Sequence, residues 1–195
     1  MNILFLGNDD NILLSELKKI EKNIVNTNKK ITPDFVKNFD FVVSFGYRYI
    51  VKKSVLDILD DNIINLHISL LPLNKGSDPN LWSVLDNSKS GVTIHVMREK
   101  LDEGEIILQK EIEFNNELTL KESYDILIKE ISELLIKNWN DIKNKNITYK
   151  KQKGIGSYHR TKDRPPFEII LPQSWDTKRG DAYKFYKKWK NDFKE

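Results

Sequence analysis

Between Asn2 and His67, short apolar runs that stop at glycine or at polar residues alternate with stretches of helical spacing. Asn2–Gly7 is the first such run and reads as a buried strand. Leu13, Leu14, Leu17 and Ile20 then follow helical spacing, and a loose polar stretch runs from Asn26 to Lys30. Phe41–Gly46 is a second apolar run stopped by glycine, Val55–Leu59 a short helix and Ile63–His67 a third strand. Strand, helix, strand, helix, strand is the signature of an α/β fold, here an open, mostly parallel sheet with flanking helices. The segment before Asn65 is short for two full halves of such a fold, so a helix and a strand of the N-terminal half are expected to be missing.

Beyond His67, Leu70–Pro79 is a loop punctuated by proline and glycine. Gly91–Met97 and Glu105–Phe114 read as strands, with a hairpin-like connection around Leu101–Gly104. The strongest helix runs from Leu120 to Asn144. Thr119 and Glu122 form a capping box at its start, and Tyr124, Leu127, Ile128, Ile131, Leu134, Leu135, Trp139 and Ile142 hold one core-facing stripe. From Asn146 the texture changes to lysines, glycines and Pro165-Pro166, the mark of an extended tail. Ala182, Phe185, Trp189 and Phe193 are spaced for a final amphipathic helix, docked on the body or at a homodimer interface. The expected organisation is a catalytic domain over 1–145 and a tail or subdomain over 146–195.

Composition removes several function classes. The 195 residues suit one domain with a real core. No apolar run approaches the length of a membrane span, and the start has neither a basic leader nor a cleavage site. With no cysteine there is no disulfide framework and no thiolate metal site, and a cytoplasmic location is expected. A net charge of +3 is too small to argue for a nucleic-acid partner and suits an anionic small molecule. No metal ligand set is expected.

Three polar residues stand where strands end. Asn65 and His67 alternate on one strand, so their side chains share a face. Asp102 follows a strand and precedes Gly104. Ligands of open parallel sheets bind beyond the carboxyl ends of the strands, where carboxamide, imidazole and carboxylate would meet. An asparagine donates to a developing oxyanion, a histidine passes a proton near neutrality, and an aspartate orients the imidazole. That set suits acyl transfer without a covalent intermediate, because no Gly-x-Ser-x-Gly elbow and no cysteine are present. On the residues alone a structural reading stands beside it, with His67 bonded to backbone and Asn65 capping a turn.

Asn65-Leu66-His67-Ile68-Ser69-Leu70-Leu71-Pro72 resembles the Asn-x-His-x-Ser-Leu-Leu-Pro signature of the folate-dependent formyltransferases, and Gly76, Pro79 and Trp82 fit the same motif. Gly91-Val92-Thr93-Ile94-His95 and Leu101–Gln109 resemble the second signature of that family. The resemblance covers Phe41–Phe114 best and implies a Rossmann-like formyltransferase fold. It implies that Asn65 holds the formyl oxygen, that His67 assists proton transfer and stabilises the tetrahedral intermediate, and that Asp102 holds His67. The donor it implies is N10-formyltetrahydrofolate, with the pterin head on backbone groups of Tyr47, Arg48, Tyr49 and Ile50 and on the loop before Asp102. His95 fits the pattern as well and reads as a buried structural histidine. His159, between Tyr158 and Arg160, reads either as part of a base- and phosphate-binding group or as a plain turn.

The acceptor divides the family. Methionyl-tRNA formyltransferases carry a further tRNA-gripping domain, for which the residues after Lys145 are expected to be too few. Glycinamide ribonucleotide formyltransferases carry a glycine-rich phosphate loop after the first strand, where this chain has Gly7-Asn8-Asp9-Asp10-Asn11, whose carboxylates repel an anion. Asn74–Ser83, Ser44–Arg48 and Ser157–Asp163 are most similar to the sugar N-formyltransferases. That branch implies a nucleotide-linked amino deoxysugar as acceptor, a place in surface polysaccharide biosynthesis, and Lys75, Trp82, Tyr158, His159 and Arg160 as acceptor-side residues. A glycinamide ribonucleotide formyltransferase, or a folate-binding relative without catalysis, are the alternatives.

Overall fold

Ile3, Leu4, Phe5 and Leu6 are all fully buried, and they form β1 (Ile3–Leu6), an inner strand of a six-stranded sheet. A computed structural model describes residues 1–192. After β1 the chain runs through α1 (Ile12–Ile20), β2 (Ile24–Thr27), α2 (Pro33–Val36), β3 (Phe41–Ser44), α3 (Lys53–Leu59) and β4 (Ile63–His67). Then come β5 (Lys75–Gly76), α4 (Pro79–Leu85), β6 (Ser90–Val96), β7 (Ile106–Ile112) and α5 (Leu120–Lys143). The last elements are β8 (Tyr158–His159), α6 (Phe167–Ile170) and α7 (Arg179–Asp192). The strand order is β2-β1-β3-β4-β6-β7. β1 pairs in parallel with β2 and β3, and β3 with β4, whereas β6 runs antiparallel to β4. The sheet is therefore α/β and mostly parallel, as the run pattern predicts, with helices on its flanks.

The stretch read as loose and polar from Asn26 to Lys30 begins inside a strand, β2, which ends at Thr27. β2 is four residues long, lies at the edge of the sheet and is only partly buried, with Val25 half exposed. Paired along one edge, it shows no apolar signal strong enough to separate it from a loop. Asn11 caps α1 by accepting from the Leu13 amide at 3.0 Å, and Leu13, Leu14 and Leu17 are its buried face, while Ile20 is exposed.

The chain divides into two compact units. The first is built from Met1–His67, Thr93–Leu108 and Ile131–Gln152. Its core includes Leu4, Leu6, Val36, Val42, Val51, Val55, Leu59 and Ile63. Trp139 is buried edge-on against Phe41, and its indole donates to Glu21 at 2.8 Å. The second is built from Ile68–Val92, Gln109–Glu130 and the segment from Lys153 on. Its core gathers Leu81, Trp82, Leu85, Leu120, Ile170, Leu171, Ala182 and Tyr186.

The predicted capping box forms: the Thr119 amide donates to Glu122 at 2.8 Å and the Glu122 amide to Thr119 at 3.0 Å. Along α5 the residues Leu127, Ile131, Leu135, Trp139 and Ile142 are fully covered. Tyr124, counted in that stripe, is instead half exposed beside a cavity of about 540 Å³ that Ile68 and Trp175 also line. On α7, Arg179, Ala182 and Tyr186 are buried and Trp189 packs partly buried against the same core, so Ala182 and Trp189 of the predicted stripe face inward, while Phe185 is exposed and Tyr186 takes its place. Tyr186 covers Trp82 edge-on, and its hydroxyl makes it a polar letter in a purely apolar count. Phe193 lies outside the described residues.

Candidate active site

β4 carries Asn65 and His67 two positions apart, and the turn that leads from β6 to β7 carries Asp102. Asp102 has a left-handed backbone, φ 53°. The turn is closed by the Val96 amide donating to the Glu105 carbonyl at 2.9 Å. Gly104 is needed there, because a Cβ at that position would come within 1.8 Å of the Val96 carbonyl oxygen. The structure thus brings the three predicted residues together. Asn65 Nδ2 donates to Asp102 Oδ1 at 3.4 Å, and Asp102 Oδ2 lies 3.7 Å from His67 Nδ1. His67 and Asp102 are both buried.

A fourth residue joins them. His95 on β6 stands directly opposite Asn65, with its Nε2 3.3 Å from Asn65 Nδ2 and 3.5 Å from Asp102 Oδ1. Its Nδ1 lies 2.8 Å from the Val96 carbonyl, which only accepts, so Nδ1 carries the ring proton and Nε2 of the neutral ring is an acceptor. That assignment orients Asn65, whose amide must turn both its N–H groups toward His95 and Asp102. His95 is buried, as read from the sequence, yet it is also part of the polar cluster. His67 thus turns Nδ1 toward the carboxylate, with Nε2 on the other side of the ring.

The profile of the family described as formyl transferase matches residues 11–138. This chain belongs to the formyl transferase family. A methionyl-tRNA formyltransferase of Clostridium botulinum is 37% identical over 147 residues, taking in 75% of this chain and 46% of that one. The chain spans about half the length, or less, of the curated relatives it matches. Among solved structures, the formyltransferase PseJ from Anoxybacillus kamchatkensis, in complex with UDP-4,6-dideoxy-4-formamido-L-AltNAc and tetrahydrofolate, is 38% identical. The match has a TM-score of 0.88 and covers 93% of this chain and 97% of that one. A sugar N-formyltransferase from Shewanella sp FDAARGOS_354 shares the fold at 21% identity, with a TM-score of 0.76 over 95% of this chain and 87% of that one.

In this formyl transferase the stretch Tyr47–Ile50 follows β3 after Gly46, whose φ is 74°. Tyr47 is anchored, its hydroxyl donating to the Lys29 carbonyl at 2.8 Å and accepting from the Ile31 amide at 3.2 Å. Burial pushes that hydroxyl above its usual pKa. Tyr49 and Arg48 are exposed, and Ile50 is 83% exposed, unusually open for an isoleucine. Gly7, Asn8, Asn28, Lys29 and Gly46 to Tyr49 line a cavity of about 320 Å³. It lies beyond the carboxyl ends of β1, β2 and β3, where a sheet of this order is expected to take a ligand.

The residues that the sequence assigns to the acceptor side as an expectation all lie in the second unit. β5 pairs in parallel with β8, setting Lys75 against Tyr158 and Gly76 against His159. Gly76 has φ 86°, and a Cβ there would sit 2.2 Å from the His159 carbonyl oxygen. The His159 ring stacks face to face on Trp82, centroids 3.8 Å apart and planes 5° apart. Its Nε2 lies 2.8 Å from Asp86 Oδ2, but off the line of a hydrogen bond. Arg160 is held by Asp163 through Nε and Nη2, at 3.0 and 2.9 Å. His159 and Arg160 are therefore both engaged within this unit, and Tyr158 is the half-exposed aromatic of the group. Among the described residues no cluster of three His, Cys, Asp or Glu side chains is arranged for a metal, and no helix is long and apolar enough to cross a membrane.

Proposed function

We propose that this chain transfers a formyl group from N10-formyltetrahydrofolate to the 4-amino group of a UDP-linked 4,6-dideoxy amino sugar. The match to PseJ over nearly the whole of both chains carries the reading, because that structure holds a 4-formamido UDP-sugar together with tetrahydrofolate. The cluster of Asn65 with the buried His67, His95 and Asp102 supplies groups suited to the chemistry.

The cavity beside Tyr47–Tyr49 fits an anionic carrier, since Lys29 and Arg48 line it. The bound donor supplies the activated formyl carbon that the amine attacks. Asn65 gives up its longer contact, the 3.4 Å bond to Asp102, and turns that N–H to the formyl oxygen. His67 takes the proton of the attacking amine at Nε2 and returns it to the leaving nitrogen, while Asp102 faces Nδ1 and favours the charged ring. The site's burial favours the neutral amine, the form that can attack.

Methionyl-tRNA is the second acceptor that an observation favours, through the 37% identity to the Clostridium botulinum enzyme. A transfer assay with N10-formyltetrahydrofolate and a panel of acceptors separates the two. The panel holds UDP- and dTDP-linked 3-amino and 4-amino deoxysugars, methionyl-tRNA, glycinamide ribonucleotide and a blank. Product with the UDP-linked 4-amino sugar alone is expected. Product with methionyl-tRNA overturns the acceptor assignment, and formate released in the blank overturns the transfer reaction itself.

A further inference from the structure

The turn that presents Asp102 is held from outside by one side chain. Gln152 Nε2 donates to the Asp102 carbonyl at 2.7 Å and to the Gly104 carbonyl at 2.9 Å. Both partners are acceptors, so the amide can lie only one way round, nitrogen toward the turn. Gln152 is itself fixed. Two residues earlier, Lys150 pairs with Ile106 at the start of β7, the Ile106 amide donating at 2.7 Å and the Lys150 amide at 2.8 Å. The chain from Ile106 through Lys150 to Gln152 therefore forms a bracket that closes back on residues 102–104.

The turn needs such a bracket. Asp102 is a non-glycine residue at φ 53°, a conformation that costs energy unless its surroundings fix it. Its carboxylate lies 3.4 Å from Asn65, 3.5 Å from His95 and 3.7 Å from His67. The two bonds from Gln152 are short and reach the backbone of the turn itself.

We propose that Gln152 is a positioning residue: it holds the Asp102 turn so that the carboxylate stays against the His67 ring. The inference rests on the assignment of His67 and Asp102 given above, but it concerns their geometry, which is open to measurement without substrate. The ionisable groups that face His67 here are Asp102 on the turn and His95 on β6, with ring centroids 6.4 Å apart for the two histidines.

The chain has 3 histidines, so nitrogen-detected NMR titration resolves each ring, with single His→Gln variants for assignment. The full chain is compared with Gln152→Met, which keeps length and loses both donors, and with Gln152→Glu, which sets a carboxylate against two carbonyls. Asp102→Asn gives the reference for a His67 without its anion. In both Gln152 variants the His67 midpoint is expected to fall by about half a pH unit or more toward the Asp102→Asn value, because a nearby anion is what favours the charged ring. His159, in the other unit, keeps its midpoint and reports that the fold is intact. In the transfer assay Gln152→Met lowers kcat about ten-fold, with little change in KM. A His67 midpoint unchanged in both variants overturns the proposal. A silent wild-type enzyme overturns the proposed function and leaves the titration result standing on its own.

Discussion

Asn65 and His95 face each other across the antiparallel pair β4–β6, and the register that opposes them also joins their side chains at 3.3 Å. Because His95 donates from Nδ1 to the Val96 carbonyl, its Nε2 holds the Asn65 amide in one orientation. His95→Phe keeps a planar ring and removes both nitrogens. It is expected to destabilise the fold by about 1–3 kcal/mol, since the buried Val96 carbonyl and the Asn65 N–H lose partners. It is expected to lower kcat about ten-fold as the Asn65 amide is released. Urea denaturation alongside steady-state turnover checks both. Normal turnover in a folded variant removes His95 from the site.

Asn65 and His67 were legible because alternation along a strand is a local property, and Asp102 because the turn before Gly104 is marked by residue type. His95 was legible as a buried histidine but not as a member of the cluster. Its place depends on the register between β4 and β6, which no periodicity within either strand records. The same limit hid β2, whose identity comes from pairing with β1 rather than from its own half-exposed residues. Gln152 stood in a lysine-rich tail with no pattern at all, since its role is set by the bridge from Lys150 to Ile106. Trp82 and His159 were singled out separately, and only the pairing of β5 with β8 shows that they stack.

Glu21 ties the end of α1 to α5. Burial pushes its carboxyl upward, but hydrogen bonds from Lys143 and Trp139 outweigh that and hold it below its ordinary value of 4.5. A carboxyl lowered in the folded state stabilises it above pH 4.5, and that contribution is lost as pH falls through the lower folded value. Glu21→Gln keeps the acceptor oxygen and removes the charge, so a loss of about 1 kcal/mol is expected at neutral pH. Denaturation curves for the two proteins should converge as the pH drops below 4.5. A gap independent of pH shows that the charge plays no part.

Arg179 is 7% exposed, donates to Asn80 and Ser90 at 3.1 and 3.2 Å, and lies over the Phe114 ring at 4.6 Å. Both hydrogen-bond acceptors are neutral, and burial pulls the guanidinium pKa down to about 10. The charged form is thus penalised in the folded state below that pH, and the penalty is relieved as pH rises from about 10 toward the higher unfolded value. The stability difference between wild type and Arg179→Met isolates this group. It should move in favour of the wild type by about 1 kcal/mol between roughly pH 9 and pH 11. Movement in the opposite direction means that the guanidinium has a counter-charge in solution.

Gly104 makes the sharpest steric demand near the site. A Cβ there meets the Val96 carbonyl oxygen at 1.8 Å and its carbon at 2.8 Å, both backbone atoms with no freedom to swing aside. Gly104→Ala must therefore open the turn at the Val96–Glu105 bond and carry Asp102, two residues earlier, away from Asn65 and His67. A loss of about 2–3 kcal/mol is expected, with turnover falling along with the Asp102 contact. Gly46→Ala separates this from the general cost of replacing a glycine. Position 46 has nothing within 4 Å of a new Cβ, but its φ is 74°, so strain alone applies, at about 1 kcal/mol. Urea midpoints for the two variants decide between them. If they fall equally, backbone strain rather than the Val96 contact governs the turn, and the steric account of how Asp102 is set in place is wrong.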